Sequence, residues 1–311
     1  MKIFTSYIVA FIFFMTGCTP DFSFNTTKVL SNYPSGSGLA FLMNRIYLIG
    51  DDVSYLLIVD TAFNVTDSIK LFESRETKIP KELKQDLEAG AVVFIKRSPK
   101  ILLVGSGSLS PFRNSGWLID PTAKQKIQID LKPFYNRLKS EGIDAINIEG
   151  ITAISAGMVL ANRGNKSFAA NYLIFTANEF WNNPDSSQIK ICKVGTNTDT
   201  TSFTGVSGLE YSKLSDKLLL TVSTENTNNA IQDGTIGKSY LWIINNISVK
   251  KNMIAINPNT IIDLEALDER FKGHKIESVC IISENKKQMQ LVLVADDDKG
   301  TSDLFKITLK K

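Results

Sequence analysis

Three glutamates recur in one short phrase, and their type and spacing define the chemistry available to this chain. They stand in Leu87-Glu88-Ala89-Gly90, Ile148-Glu149-Gly150-Ile151 and Ile276-Glu277-Ser278-Val279, while Gly36-Ser37-Gly38-Leu39 and Val206-Ser207-Gly208-Leu209 carry Ser in place of Glu. If the phrases converge on one axis, Glu88, Glu149 and Glu277 meet. Carboxylates that approach closely repel, and at least one pKa must rise unless a cation neutralises them. Such a trio suits a Ca²⁺ ion, which takes ~6–8 oxygen ligands, or a perturbed carboxyl doing acid–base work. The same glutamates could pair with Lys84, Arg163 or Lys275. Together with Ser37 and Ser207 they could also bond the backbone of neighbouring segments and serve geometry alone.

Asn162-Arg163-Gly164-Asn165 is the most distinctive turn. An Arg there can aim a planar donor fork at a ligand carboxylate or phosphate, or form a salt bridge with Glu149. The single His, His274, excludes paired-His metal sites and leaves one candidate imidazole base. Gly105-Ser106-Gly107-Ser108 is no Gly-x-Ser-x-Gly elbow and has no obvious base partner, so Ser-His-Asp catalysis is not expected. Asp296-Asp297-Asp298-Lys299-Gly300 lacks the alternating ligands and terminal Glu of an EF-hand. Trp117, Trp181 and Trp242 read as core, with Phe180-Trp181 placed in a loop where it could touch a ligand.

The elements that must position these residues follow from the repeat. Successive phrases are separated by 51, 61, 58 and 70 residues, which is the spacing of β-propeller blades with variable loops. Each phrase leads into a second apolar run, such as Ile101 to Val104 or Leu291 to Val294, and a third, such as Tyr55 to Val59 or Leu241 to Ile244. Weaker, alternating fourth strands read at 67–71, 126–131, 188–191 and 252–256. The fold expected is all-β: a five-bladed β-propeller of four-stranded antiparallel blades. The last blade has no fourth run before the chain ends, and an N-terminal strand from Asn25 to Ser31 is expected to supply it. Single helical turns are expected at Ile79 to Asp86 and within Asp263 to Phe271, with surface loops at 195–204 and 224–237. The opening of each inner strand and the turn between second and third strands share one face. The ring of Ser37, Glu88, Glu149, Ser207 and Glu277 is therefore surrounded by Asp51-Asp52, Ser106, Ser108, Arg163, Glu225-Asn226 and Asp296 to Asp298, with Arg113 and Lys166 in reach.

The chain opens with Met1-Lys2, an apolar run from Ile3 to Met15, and Thr16-Gly17-Cys18. This reads as a secretory signal, too short and wrongly flanked for a spanning helix. Met15-Thr16-Gly17-Cys18 resembles the bacterial lipobox. Residues 1–17 are thus expected to be a lipoprotein signal peptide, 18–24 a lipidated Cys18 and linker, and 25–311 one propeller domain, anchored by several acyl chains. Thr19 lacks the inner-membrane Asp signal, so an outer-membrane, periplasm-facing position is expected. With 43% hydrophobic and 22% charged residues the composition is globular. The formal charge of +3, from 35 basic and 32 acidic residues, includes no basic run. Nucleic acid is therefore not an expected partner, and a membrane surface gains no support beyond the anchor. Cys192 and Cys280 sit in different blades and are expected as buried free thiols.

Asp144-Ala145-Ile146-Asn147-Ile148-Glu149-Gly150 and Lys84-Gln85-Asp86-Leu87-Glu88-Ala89 resemble the strand openings of uncharacterised propeller lipoproteins from Bacteroidetes-type bacteria and of phytase-linked esterase-like propellers. More remotely, Glu149-Gly150 is similar to the Glu-Gly-Pro of gluconolactonase and senescence-marker-protein propellers, whose glutamate binds a divalent metal in the channel. Ile151 stands in place of that Pro, and those propellers have six blades. The expectation that follows is a lipid-anchored envelope propeller that binds a small ligand or a partner protein on the face bearing the Glu/Ser ring and Arg163. The alternative is a divalent-metal-assisted hydrolase of phosphoesters or lactones, with Glu88, Glu149 and Glu277 holding the cation and Arg163 orienting the substrate.

Overall fold

The computed structural model describes residues 21–76, 78–195, 203–225, 236–296 and 300–311. The expected signal segment and Cys18, together with Asn226, Asp297 and Asp298, lie outside them. Strand β1 (Phe22–Leu30) is followed by five inner-to-outer runs of strands. Blade 1 is Gly36–Leu42, Arg45–Gly50, Tyr55–Asp60 and Val65–Lys70, and blade 2 is Leu87–Ile95, Ser98–Gly105, Ser115–Asp120 and Gln125–Asp130. Blade 3 is Ile148–Ile154, Gly157–Asn162, Asn171–Thr176 and Ile189–Val194. Blade 4 is Phe203–Ser212, Lys217–Glu225, Ile236–Asn245 and Thr260–Asp263, and blade 5 is Lys275–Glu284, Gln288–Asp296, Ser302–Lys310 and β1. This is the expected five-bladed β-propeller. β1 closes the last blade antiparallel to Ser302–Lys310 and begins at Phe22, three residues before the expected Asn25.

Alternation along the strands makes the core. Each of five hydrophobic clusters is drawn from two adjacent blades, for example Leu102 and Val104 of blade 2 against Ile151 and Leu160 of blade 3. The core is thus five wedges around an axis, and each fully buried Leu or Ile in it is worth about 1.5–3 kcal/mol. Trp117, Trp181 and Trp242 are all buried in these wedges. Phe180-Trp181 does not contact a ligand space: Phe180 is fully buried, with its ring 4.5 Å from that of Phe134. Cys192 and Cys280 are buried free thiols, as expected.

Two elements depart from the sequence expectation. The fourth strand of blade 4 is Thr260–Asp263 and not 252–256. Ala255–Ile256 instead pairs in parallel with Lys193 and Val194 on the outer edge of blade 3. Met253 and Ile254 are both exposed and Ile256 is the one buried residue of that run, whereas Ile262 is buried beside exposed Ile261 in register with Leu241 of the blade 4 strand. Helix α1 (Lys132–Ser140) was not expected, because only Phe134, Tyr135 and Leu138 mark its apolar stripe. It packs those three side chains into the wedge between blades 2 and 3. The turn near Pro80 is present as one hydrogen-bonded turn, Lys84 N–H donating to the Pro80 carbonyl at 3.0 Å. The one at 263–271 appears as α2 (Leu264–Leu267) and a 3-10 turn. No helix among the described residues is long and apolar enough to cross a membrane.

The ladders also fix which loops share an end. Gly36 pairs with Gly50 and Leu42 with Arg45, so the phrase and the turn between second and third strands lie at one end of the channel, hereafter the mouth. The turns at 43–44, 96–97, 213–216 and 285–287 lie at the other, the far end. β1 starts at the far end, since Phe22 pairs with Leu309 and Leu30 with Ser302.

Candidate functional site

Every ring residue occupies a β-bulge. The inner-strand register slips between Gly36 and Gly38, Leu87 and Ala89, Ile148 and Gly150, Val206 and Gly208, and Ile276 and Ser278. The residue left over is Ser37, Glu88, Glu149, Ser207 or Glu277. A regular inner strand aims its side chains at the two neighbouring blades; an extra residue re-aims one of them. The small residue that follows has its own cause. A Cβ on Gly208 would fall 2.7 Å from the Glu277 carbonyl, and one on Gly150 would fall 2.9 Å from the Leu209 nitrogen. Successive bulges are in backbone contact, which explains the pattern of apolar residue, Glu or Ser, and small residue.

The two serines spend their hydroxyls on backbone. Ser207 donates to the Ile276 carbonyl of blade 5 at 2.7 Å, and Ser37 to Ser35 at 2.9 Å. The three glutamates instead face charged and polar neighbours. Glu149 accepts from Asn147 Nδ2 at 2.6 Å, and Lys275 Nζ lies 2.9 Å from Glu277 Oε1. Burial first, then repulsion from Glu277 and Asp86, outweighs Arg163 and Lys275 and pushes the Glu149 carboxyl up to about 7. Burial, followed by Asp51, Asp86 and Glu149, drives Glu88 well above the usual carboxylate range against the pull of Lys84.

Glu88 belongs to a denser cluster where blade 1 meets blade 2. Carboxylate oxygens of Asp51, Asp86 and Glu88 lie within 4.8 Å of one another, the one such group of three among the described residues. It shares only Glu88 with the trio expected from the sequence. A buried Lys84 inserts its ammonium here, bonded to Asp51, 2.8 Å from Asp86 and 3.1 Å from Asp52. These acids raise its pKa despite its burial. Burial pushes Asp51 up to about 6 against Lys84, while Lys84, Ser35 and Lys78 overcome burial and hold Asp52 low. Arg113 adds a second cation, 2.6 Å from Asp86, and Ser106 bonds the same carboxylate.

Arg163 is buried on the blade 3 side of the mouth. Its Nη2 is 3.2 Å from Ser223 Oγ, and its guanidinium lies on Gly205, where a Cβ would stand 2.5 Å from Nε. The mouth therefore brings Glu88, Glu149, Glu277 and Arg163 into one charged field. His274 sits 3.3 Å from Asp303 and against the Phe305 ring. Asp86 and Asn147 were missed by the sequence reading, although one signal marks them. The residue two before each bulge, Ser35, Asp86, Asn147, Gly205 or Lys275, is the partner or seat of a mouth side chain. Also missed is Glu210, inside the channel beside a cavity of about 110 Å³, its carboxyl pushed up to about 8 by burial.

The fold and this mouth define a closed five-bladed propeller with a charged, polar channel opening. The chain belongs to a family of unknown function, DUF6929, whose model matches residues 32–309. No curated protein matches the sequence. Among solved structures it is similar to the glutaminyl cyclase of Myxococcus xanthus, at 10% identity and a TM-score of 0.52 over 93% of this chain and 96% of that one. It is also similar to a luciferin-regenerating enzyme, at 8% identity and 0.44 over 92% and 97%. The virginiamycin B lyase of Staphylococcus aureus matches at 8% and 0.37, over 93% and 100%. At these identities the likeness is one of fold alone.

Proposed function

We propose that this propeller binds a small ligand bearing a positive charge at the channel mouth, between Glu88, Glu149 and Glu277, with Arg163 and Asn147 fixing its orientation. The observation that carries the reading is the set of three bulges that aim glutamates at one another. Blade packing does not require a carboxyl at these positions, since Ser serves at two of the five. Burial and mutual repulsion keep Glu88 and Glu149 protonated where free carboxyls would ionise. A cation seated among them lets them ionise, so binding near neutral pH is coupled to proton release. The test is calorimetry with ethanolamine, spermidine, betaine and Ca²⁺ in buffers of different ionisation enthalpy. The expected result is saturable binding with protons released, which Glu149→Gln diminishes. Absence of binding heat and of any melting shift across the panel defeats the reading.

Metal-assisted hydrolysis of phosphoesters or lactones is the second reading, favoured by the convergence of Asp51, Asp86 and Glu88. Lys84 already pairs with two of these carboxylates, so a divalent ion such as Ca²⁺ must displace its ammonium. Retention of stoichiometric metal through purification, measured by elemental analysis, supports this reading; a Lys84 that keeps its pairs in Ca²⁺ sinks it.

For location, the Met15 to Cys18 motif supports a lipid anchor on Cys18 and a periplasm-facing position at the outer membrane. Incorporation of labelled palmitate that Cys18→Ser abolishes, with co-fractionation in outer-membrane vesicles, is the expected result.

A further inference from the structure

We infer that the far end of the propeller, opposite the mouth, is a docking surface for an anionic phospholipid bilayer. Three observations meet there. The first is exposed apolar surface: Met43, Phe94, Leu214 and Val249 lie on far-end turns or strand ends, and Val249 is 78% exposed. Mouth-end turns and strand ends expose Val29, Leu83, Phe112 and Phe168. What singles out the far end is the company of cations that its apolar tips keep, since an exposed apolar tip marks a contact surface.

The second is charge. Lys96 and Arg97 follow Phe94, Lys213 precedes Leu214, Lys250 and Lys251 sit between Val249 and Met253, and Lys286 lies on the blade 5 turn. None of these is ion-paired among the described residues. Several far-end acids are already engaged: Glu284 with Lys311, Asp120 with Lys100, and Asp21 with Lys310. Asp60 accepts from the backbone of its own turn. Blade 3 is the exception, offering Glu179 and Asp185. Basic residues interleaved with exposed apolar ones fit the interface of an anionic leaflet, where each Lys or Arg adds affinity and apolar tips enter the headgroup boundary. The turns stand far apart in sequence, so the linear chain shows no basic run; the ring gathers them.

The third is where the chain begins. β1 starts at the far end, and Cys18 is three residues before Asp21, a span of at most about 10 Å. An acyl chain there would hold this same end against the bilayer and point the mouth away from it. The docking surface rests on the first two observations and does not require lipidation.

The test separates the two. All strands that close the ring lie within residues 21–311, and this span is purified, its fold checked by a single thermal transition, and floated with large unilamellar vesicles. Binding is expected to phosphatidylethanolamine vesicles containing phosphatidylglycerol, to weaken at 0.5 M salt, and to be lost on pure phosphatidylcholine. Charge reversal by Lys250→Glu with Lys251→Glu weakens partition at least tenfold, on the order of fivefold per charge. Val249→Ser weakens it severalfold at constant charge. Mouth-end controls Lys139→Glu and Lys272→Glu leave it unchanged. Failure to float with anionic vesicles overturns the inference, as do equal losses from mouth-end and far-end reversal, or binding to heparin without binding to vesicles. Since the span 21–311 lacks Cys18, none of these outcomes bears on palmitate labelling.

Discussion

Lys84 Nζ lies 2.8 Å from Asp86 Oδ1, and the same ammonium reaches back to Asp51 and Asp52 of blade 1. One cation on the segment leading into blade 2 thereby ties two blades together beneath the mouth. It also supplies the positive charge that lets several acids share one buried place.

Replacing Lys84 with Met should lower stability by about 3–5 kcal/mol, because it leaves buried carboxylates uncompensated. Urea unfolding measures this. Adding Asp86→Asn to the same chain should recover part of the loss, and a strictly additive double variant would contradict the pairing.

The Glu149 carboxyl sets a pH dependence with a defined sign. Unfolded, it releases its proton near its ordinary value of 4.5; folded, it holds it up to about 7. The stabilisation from that retained proton is complete below the lower value and is lost as pH rises through the higher one. The wild-type chain should therefore lose up to about 3 kcal/mol relative to Glu149→Gln between these pH values. Parallel unfolding curves for both proteins across pH 4 to 8 check it, and a constant difference would refute it.

Gly205→Ala places a methyl 2.5 Å from Arg163 Nε. Arg163 should be displaced at a cost of about 1–3 kcal/mol, with ligand affinity at the mouth falling about tenfold, on the order of one lost charged hydrogen bond. Arg163→Lys should lose affinity similarly while unfolding near the wild-type denaturant midpoint, since a Lys keeps the charge and forfeits the fork.

Deleting residues 21–30 leaves the Ser302–Lys310 strand as an open edge. The shortened chain should self-associate, detected by light scattering, and the peptide covering 21–31 added in trans should restore a single monomeric peak.

The architecture was legible because it repeats. Five phrases, each followed by two apolar runs, gave the blade count, and the missing fourth run pointed to closure by the N-terminal strand. The strand 260–263 was hidden because two short apolar runs compete there, each with one buried Ile, and only the ladder shows that Ile262 pairs with blade 4 while Ile256 pairs with blade 3. The site was legible in its ring and in Arg163, yet the bulges were not, since a bulge is a mismatch with a partner strand that no single strand displays. Lys84 and Arg113 were visible as charges, but their placement under Asp86 depends on three segments meeting. Asp86 and Asn147 were overlooked because their role lies in a spacing of two from the glutamates, and any polar residue before a strand looks alike until that spacing is compared across blades.

The five bulges separate where a side chain points from what it is. Backbone slippage and the small residue after it set the aim, and Ser or Glu is accepted at the tip with the same ladder on either side. The mouth is thereby a set of five interchangeable seats on a fixed frame, whose charge can be changed by exchanging single residues at 37, 88, 149, 207 and 277 without redrawing a strand.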